Sequence, residues 1–238
     1  MNSIVIAIDG PAASGKGTIA QAIAQHYNFA HLDTGLLYRA IANVLITNGT
    51  LDPTAEQAVE AAKHIRDEIP LEQLESNTKL RNEKVSTTAS VVAAIPQVRE
   101  QLVLLQRNFA EHPPGNAAGV VMEGRDIATV ICPWAQVQLY VDASLEARAR
   151  RRFEEMAARA KTAGTKPIFS SEQEILEILA ERDKRDIQRS NAPLKKAQNA
   201  LLLDTTKLDI KESIARSIDL VEARLRSMGD IGASEPSQ

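Results

Sequence analysis

Short apolar runs recur along the chain at wide intervals and predict the strands of a buried sheet. These runs cover, in chain order, residues 4–8, a stretch that ends at Leu32, and residues 119–123, 137–141 and 201–204. Short continuous apolar runs are typical of parallel strands that are covered on both faces. The sequence therefore predicts five buried strands that are far apart along the chain.

Between these runs, apolar residues recur every three or four positions, which predicts helices. The predicted helices cover, in chain order, residues 15–27, 36–48, a stretch from Asp52, both sides of Pro96, a stretch from Ser144, and residues 171–190 and 210–228. Asp52 and Pro53 have the spacing of an N-cap and a first helical residue, and Ser171 and Glu174 have that of a capping box. Alternating strands and helices predict an α/β fold, with a parallel sheet covered by helices on both faces.

Three segments interrupt this pattern. Residues 66–84 are polar and weakly periodic, which predicts an inserted, largely exposed segment. Residues 162–167 predict a loop, and the polar residues 229–238 predict a disordered tail. The remaining chain, residues 1–228, has the length of one sizeable core and predicts a single domain.

The composition is that of a globular protein and argues against several other classes. Apolar residues make up 44% of the 238 residues and aromatic residues only 3%, so the core depends on aliphatic side chains. The net charge of −3 gives no global positive field for nucleic acid. No apolar run approaches the roughly 20 residues of a membrane span. With no recognisable signal peptide and the single cysteine Cys132, we expect a reducing, cytoplasmic location and no internal disulfide.

A glycine-rich segment directly follows the first predicted strand and opens the first predicted helix. It consists of Gly10, Pro11, Ala12, Ala13, Ser14, Gly15, Lys16, Gly17 and Thr18. The glycines allow the backbone to turn tightly with its N–H groups pointing inwards, the helix N-terminus adds a partial positive charge, and Lys16 adds a full one. In this context the pattern is a Walker A motif. It predicts that the segment binds the phosphates of a nucleoside triphosphate, with Lys16 as a catalytic residue.

The hydroxyl of this motif is displaced by one position. Gly17 follows Lys16 where many P-loop proteins have Ser or Thr, and Thr18 comes one residue later. We therefore expect Mg²⁺ to be held mainly by phosphate oxygens and water, and we assign no residue as its direct ligand. Glu123 and Asp142, each at the end of a predicted strand, are both candidates for an acid that orders the water around the ion.

The displaced hydroxyl resembles the motif of nucleoside monophosphate kinases, and further motifs narrow the resemblance. They are DTGLLYR at 33–39, TASVVAAIPQVRE at 88–100, EGRDIATVICP at 123–133, VDAS at 141–144 and ERDKRDIQRSNAPL at 181–194. With them, residues 4–225 resemble the bacterial cytidylate kinases, whereas adenylate kinases lack the EGRD and ERDKRD segments in this form. The chain departs from the family at Glu123 and Thr34, where the family usually has Asp and Ser. It also has a shorter insertion at 66–81, where we expect the family's small antiparallel sheet to be reduced or missing.

The resemblance implies a reaction, its substrates and a division of the chain. It implies transfer of the γ-phosphoryl group of ATP, with Mg²⁺, to CMP or dCMP by a monomer that binds neither nucleic acid nor membrane. It implies a core of residues 1–37, 93–150 and 172–228, an acceptor-binding lobe at about 38–92, and a lid at about 154–171. The lid of the family closes over ATP and excludes water.

Arginine residues stand where such a reaction needs positive charge. Phosphoryl transfer depends mainly on positioning and on neutralising the charge of the moving group, and the planar guanidinium binds phosphate bidentately. Arg39 lies one helical turn after Gly35. Arg125 follows a predicted strand end, where ligands of open α/β sheets bind.

Two predicted helices each carry charged residues at spacings of three and four, which put the residues on one face. The two sets are Arg148, Arg151 and Arg152, and then Arg182, Arg185, Asp186 and Arg189. We interpret Arg148 and Arg150 as parts of a solvated face. With Lys16, the residues assigned to catalysis are Arg152, Arg182 and Arg185; the alternative for Arg182 is an intrahelical ion pair with Asp186.

The resemblance also implies where the acceptor binds. It assigns the phosphate to Thr34, Arg39, Arg125 and Arg189, the sugar hydroxyls to Asp186 with Arg182 beside it, and the base to Ser90, Arg99 and Asp126. The last three fit cytosine, because a carboxylate or hydroxyl accepts from the N4 amine while a guanidinium donates to N3 and O2. Uracil reverses two of these positions, so we expect UMP to be a poor acceptor, with AMP excluded by size. The alternative for Ser90 and Arg99 is an ordinary surface position.

Other classes of protein fit the sequence less well. A P-loop GTPase requires an Asp-x-x-Gly element and an Asn-Lys-x-Asp base reader, and the sequence contains neither. A nucleic-acid-binding protein that used the basic helix near Arg148 is disfavoured by the net charge and the few aromatic residues. Among kinases, the alternative acceptors are UMP, AMP or a sugar acid. Cys132 is interpreted as a buried apolar side chain, and the histidines, which show no metal-ligand spacing, as structural or exposed: His26, His31, His64 and His112.

Overall fold

The computed structural model describes residues 3–50, 52–166 and 169–229. Within these residues, one five-stranded sheet has the order β2-β3-β1-β4-β5, and every neighbouring pair of strands is parallel. The strands are β1 (Ile4–Asp9), β2 (Ala30–Asp33), β3 (Gly119–Gly124), β4 (Val137–Asp142) and β5 (Leu201–Asp204). The parallel α/β fold and its five strands are therefore confirmed.

Helices lie in the connections between these strands. The longer helices are α1 (Lys16–Tyr27), α2 (Gly35–Thr47), α3 (Ala55–Glu68), α4 (Leu71–Ser76), α5 (Glu83–Val92), α6 (Pro96–Glu111), α7 (Leu145–Ala163), α8 (Glu172–Gln188) and α9 (Ile210–Ser227). A single turn of π-helix, Ile127–Ile131, follows β3 and was not predicted from the sequence.

The sheet is covered on both faces because alternate residues of each strand point to opposite sides. On β1, Ile6 and Ile8 pack with apolar residues of α1 and α9. Val5 and Ala7 point the other way and pack with Ala110 of α6 and with the π-turn. This arrangement places the C-terminal ends of β1, β2 and β3 side by side at one edge of the sheet.

Helices α2 to α5 form a second apolar cluster, which we call the helical lobe (residues 35–92). Residues 66–84, predicted as an inserted and largely exposed segment, belong to this lobe. They are largely exposed, as predicted, and mostly helical. Leu74 and Leu80 are buried and anchor the segment in the cluster. The sequence shows no helical periodicity here, because each short helix buries only one side chain. The segment, all of which is described, contains no strand.

Two predicted helix starts are corrected or refined by the caps that the structure shows. Helix α3 begins at Ala55 rather than after Asp52, because Thr54 and Gln57 form a reciprocal capping box that satisfies two backbone N–H groups. Ser171 caps α8 as predicted, with its hydroxyl accepting from the backbone N–H of Glu174. The Glu174 side chain accepts from the backbone N–H of Ser170, one residue earlier than a capping box requires.

Helices α7 and α8 pack against each other. Helix α7 continues to Ala163 and ends at Gly164, whose positive φ of 66° suits a helix C-cap. The predicted loop at 162–167 therefore starts two residues later than expected. Of the expected lid at 154–171, residues 167–168 lie outside the described part of the chain, as does the expected tail except for Gly229. None of the helices in the described residues has the length and apolar character to cross a membrane.

Candidate active site

A cleft of about 410 Å³ opens where the C-terminal ends of β1, β2 and β3 meet the helical lobe and the α7–α8 pair. Every side chain that we predicted to bind an acceptor lines it: Thr34, Arg39, Ser90, Arg99, Arg125, Asp126, Arg182, Asp186 and Arg189. The phosphate-binding segment contributes Ala12, Ala13, Gly15, Lys16, Gly17 and Thr18. The fold thus brings both predicted sites into one cavity.

The phosphate-binding loop is held tightly against β4. A Cβ atom on Gly10 would lie 2.0 Å from the backbone oxygen of Val141, so only glycine fits there. Gly15 has a φ of +90°, which glycine adopts without strain. A Cβ on Gly17 would stand 3.2 Å from Oε1 of Glu123, so the displaced motif brings the start of α1 close to that carboxylate.

Lys16 is short of compensating negative charge in this loop. Its Nζ donates to the backbone oxygen of Pro11 at 3.4 Å. Burial and the nearby Arg125 guanidinium lower the pKa of Lys16 to about 7. An anion bound against Nζ reverses this effect, because negative charge favours the protonated amine. Lys16 is therefore suited to hold a phosphate group.

Two strand-end carboxylates face the cleft next to the loop. Asp33 accepts from the backbone N–H of Gly35 at 2.9 Å and from Arg39 at 2.6 Å, and the Arg39 guanidinium is the main influence that holds the pKa of Asp33 below its usual range despite burial. Glu123 is buried, with Oε1 at 3.4 Å from Nε2 of His31. Of the two acids that the sequence left open, only Glu123 lines the cleft, while Asp142 accepts from the backbone N–H of Ala143.

Three guanidinium groups converge in the middle of the cleft. Arg125 donates from Nε to Oδ2 of Asp186 at 2.8 Å, so Asp186 does not form the intrahelical pair with Arg182. Burial and the charge of Arg125 lower the pKa of Arg182 to about 10. The Nε groups of Arg39 and Arg182 are buried and have no hydrogen-bond partner among the described residues. Buried donors of like charge that lack partners indicate an anion-binding site.

A separate buried group lies at the helical-lobe end of the cleft. Arg99 forms an ion pair with Oδ2 of Asp126 and lies over the Tyr38 ring at 5.4 Å. Nη2 of Arg189 is 3.6 Å from the other oxygen of Asp126. The hydroxyl of Ser90 is buried without a partner among the described residues. Arg99 and Ser90 are only 4% and 5% exposed, which contradicts the alternative that they are surface residues.

The arginines of α7 and α8 divide into two groups. Arg152 lines the cleft and crosses it to Glu83 of α5 at 2.7 Å, whereas Arg185 does not line the cleft. The interpretation of Arg148 as solvated is wrong. It is buried, donates to the backbone oxygens of Ala143 and Ala12, and pairs with Asp183 of α8 at 2.7 Å. Its backbone acceptors come from distant segments, which no helical pattern reveals; its neighbour Arg150 is exposed as predicted.

Several cleft residues were missed from the sequence. They are Tyr38, Arg81, Glu83, Ser86, Glu155 and Arg159. A signal existed for Arg159, which follows Arg152 by two helical turns on the same face. No such signal marked Arg81 and Glu83, because they belong to residues 66–84, whose packing could not be predicted from the pattern of apolar residues. Within the described ranges there is no group of three metal-ligating side chains.

Comparison with known proteins extends these observations. A family model described as "Cytidylate kinase" matches residues 6–223. A cytidylate kinase of Cereibacter sphaeroides strain KD131 is 48% identical over 219 residues, which cover 92% of this chain and 95% of the relative. A cytidylate kinase of Bartonella bacilliformis is 43% identical over 227 residues, which cover 95% of this chain and 98% of the relative.

Among solved structures, similarity extends over the whole fold. An uncharacterised protein from Eubacterium ventriosum matches with a TM-score of 0.51 and 14% sequence identity. The match covers 93% of this chain and 99% of the other. At this identity the likeness supports the fold alone.

Proposed function

This chain belongs to the cytidylate kinase family, and from that premise we propose which residues of the cleft bind each substrate. The protein is a kinase that transfers the terminal phosphoryl group of ATP to CMP. The resemblance found in the sequence is thereby confirmed. The observation that carries the assignment of residues is the cluster of buried guanidinium groups between the phosphate-binding loop and the Arg99–Asp126 pair.

ATP binds with its phosphates on residues 10–18, and Lys16 contacts the terminal phosphates. Support comes from the tight turn at Gly10 and Gly15 and from the lowered pKa of Lys16, which phosphate charge raises again. The backbone N–H groups at the start of α1 complete this cradle. These contacts fix the γ-phosphoryl group at the mouth of the anion site.

The residues near the loop fit a magnesium ion that is held through water. Mg²⁺, when bound, neutralises charge on the phosphate oxygens. Glu123 is buried in the cleft beside Gly17 and His31, and it is the acid that would order the water around the ion. Thr18, an exposed residue at the end of the loop, also lines the cleft. The side chains present therefore suit outer-sphere binding better than direct ligation.

The arginines neutralise the group in transfer. Arg39, Arg125 and Arg189, with the hydroxyl of Thr34, hold the acceptor phosphate, and Arg152 and Arg182 with Lys16 hold the moving phosphoryl group. Support comes from the unpaired buried donors of Arg39 and Arg182. Arg185, which lies outside the cleft lining, takes part in transfer only if α8 moves on binding.

The acceptor is CMP or dCMP, with its base on Ser90, Arg99 and Asp126. Asp126 and Ser90 accept from the N4 amine, and Arg99 donates to N3 and O2, while Asp186 accepts from the sugar. Support comes from the burial of all four side chains and from the unpartnered hydroxyl of Ser90. Uracil would place its N3–H against Arg99 and its O4 against Asp126, which leaves buried groups unpaired.

The helical lobe and the α7–α8 pair close over the substrates. The lobe at about 38–92 binds the acceptor, and the lid at about 154–171 covers ATP and excludes water. Support comes from Arg152 and Glu83, which already join α7 to α5 across the cleft. We propose that the protein acts as a monomer, as the family resemblance implies.

An acceptor panel tests this assignment. ADP release is measured with ATP and, in turn, CMP, dCMP, UMP, AMP and no acceptor. We expect turnover with CMP and dCMP, a much lower kcat/KM with UMP, and slow hydrolysis without acceptor. Equal use of CMP and UMP would contradict the base-binding roles, and equal release without acceptor would contradict the closing lid.

A further inference from the structure

Asp9, at the end of β1, is a buried carboxylate that the mechanism above does not use. It is only 2% exposed and does not line the cleft. Its Oδ1 accepts from the backbone N–H of Ile127 and its Oδ2 from that of Ala128, each at 2.8 Å. Both oxygens are therefore bound to the backbone that directly follows Arg125 and Asp126.

The segment held by Asp9 has an unusual conformation. Backbone N–H groups of Ile131 and Cys132 donate to the oxygens of Asp126 and Ile127, five residues back, and form the single π-turn after β3. Such turns are rare and are often found at functional sites. The conformation thus needs support from outside the segment.

Asp126 stands at the N-cap of this turn, where an aspartate ordinarily caps with its own side chain. Here it makes no such bond, and its carboxylate faces Arg99 and Arg189 instead. Asp9 supplies the cap from another strand. Because Asp9 caps the turn, the carboxylate of Asp126 is available to the cleft.

We propose that Asp9 is a positioning residue for base recognition: it caps the π-turn in place of Asp126, and so fixes Asp126 in the orientation that selects cytosine. The proposal rests on the assignment of Asp126 to the base. It predicts that loss of the two-oxygen cap impairs discrimination between CMP and UMP more than it impairs ATP binding.

The variant Asp9→Asn tests this with little change in shape. An amide has one accepting oxygen, and its NH₂ group would face a backbone N–H, so one of the two bonds is lost. We expect the ratio of kcat/KM for CMP to that for UMP to fall about tenfold or more at pH 8.5, as for loss of a bond to a charged group. The KM for ATP should stay within about twofold of that of the unmodified protein.

Asp209→Asn is the matched control. Asp209 caps α9 by accepting one backbone N–H, that of Glu212 at 2.8 Å, which an amide oxygen accepts equally well. Asp209 does not line the cleft, so the CMP-to-UMP ratio should not change. Thermal unfolding of both variants shows how much of any effect reflects stability.

The pH dependence of the unmodified protein gives a second readout. Burial raises the pKa of Asp9 to about 7, against the two backbone hydrogen bonds that lower it. The groups that face it are Asp126 and Arg125 beyond β3, Tyr140 on β4 and Cys132 at the end of the π-turn. A protonated carboxyl resembles the amide, because one oxygen carries a hydrogen. The CMP-to-UMP ratio should therefore rise between pH 6 and pH 8.5, and in Asp9→Asn it should stay flat.

Titration of the acceptor phosphate and of Lys16 affects CMP and UMP equally, so it does not change the CMP-to-UMP ratio. An unchanged ratio in a folded Asp9→Asn, or an equal rise in KM for ATP and CMP, overturns the proposal. If the variant does not fold, a flat pH profile of the unmodified protein overturns it and a rising one supports it. Absence of CMP phosphorylation by the unmodified protein would instead contradict the proposed function, so the two failures are distinct.

Discussion

The charge of Lys16 depends on what binds beside it. In the protein alone, burial and Arg125 lower its pKa to about 7, so that above this pH the neutral amine predominates. Triphosphate raises the pKa again, because it supplies the negative charge that the loop lacks. At the scale of single residues, phosphate binding is thus coupled to protonation of Lys16.

The coupling predicts proton uptake when ATP binds at pH 8. Lys16 is then mostly neutral in the free protein and protonated in the complex, so close to one proton should be taken up. Calorimetric titrations with ATP in buffers of different ionisation enthalpy measure this number. Lys16→Met should abolish the uptake, and an uptake that persists in that variant would show that another group titrates.

The same residue should be essential for transfer. We expect Lys16→Ala to lower kcat by about 10²-fold or more, as when one stabilising donor is removed from a transition state. ADP release with ATP and CMP measures the loss, and circular dichroism checks that the variant is folded. Turnover close to that of the unmodified protein would contradict the role given to Lys16.

The Arg99–Asp126 pair must be tested by removing both charges. Loss of one partner leaves the other buried and unpaired, which destabilises the fold by itself. We expect Arg99→Met with Asp126→Ala to lower kcat/KM for CMP at least about tenfold more than for UMP. The double variant Arg226→Met with Glu222→Ala removes an exposed pair of α9 as a control. An equal loss with both acceptors would refute base recognition by this pair.

Single residues differed in how well the sequence predicted them. Arg99 and Ser90 were placed by a family motif, and the structure buries both in the cleft. Arg148 was misread because its partners are backbone oxygens and Asp183, which only the packed helices bring close. Asp9 was not singled out, since a carboxylate after a strand gives no hint that it caps a turn beyond another strand.

At the scale of elements, Arg148 ties three of them together. It joins α7 to Asp183 on α8 and to the phosphate-binding loop through Ala12. We expect Arg148→Met to lower the free energy of unfolding by about 3–5 kcal/mol, because Asp183 is left without its partner. Urea unfolding measures the change, and Arg150→Met, on the exposed side of the same helix, should change little. Similar effects of the two substitutions would argue against this tie.

Helices and strands were predictable where their pattern of apolar residues was long or where distinctive residues flanked them. The five strands were found because a buried parallel strand is a continuous apolar run. Residues 66–84 were not, since their short helices bury one leucine each, Leu74 and Leu80. The π-turn was not predicted either, because it has no periodicity of its own and Asp9, which caps it, lies on another strand.

At the scale of the whole molecule, the helical lobe and the α7–α8 pair meet mainly through charged side chains. Arg152 and Glu83 form an ion pair between them, α5 also contacts α8, and the apolar clusters of the two parts share no residue. Such contacts exchange readily with those of a charged ligand. The two parts are therefore suited to separate and to close again.

This arrangement predicts a change in hydrogen exchange on binding. Peptides from about 65–92 and 154–171 should exchange fastest in the protein alone and slow down when ATP and CMP analogues bind together. Mass spectrometry of exchange measures both states. Peptides of α9, which packs on the far face of the sheet, serve as the control. Equal protection of the two regions with and without ligands would count against closure.

The strand order has a consequence for synthesis of the chain. Strand β1 pairs with β3 and β4, and the backbone N–H of Val5 donates to the side chain of Gln136, which is 131 residues later. At ribosomal rates of about 5–20 residues per second, β1 remains without its neighbours for on the order of ten seconds. The helical lobe, formed mostly from the contiguous residues 35–92, can associate during that interval. Most of the helical lobe can therefore associate before the phosphate-binding loop is in place, and the apolar strand β1 stays unpaired and prone to aggregation during that interval.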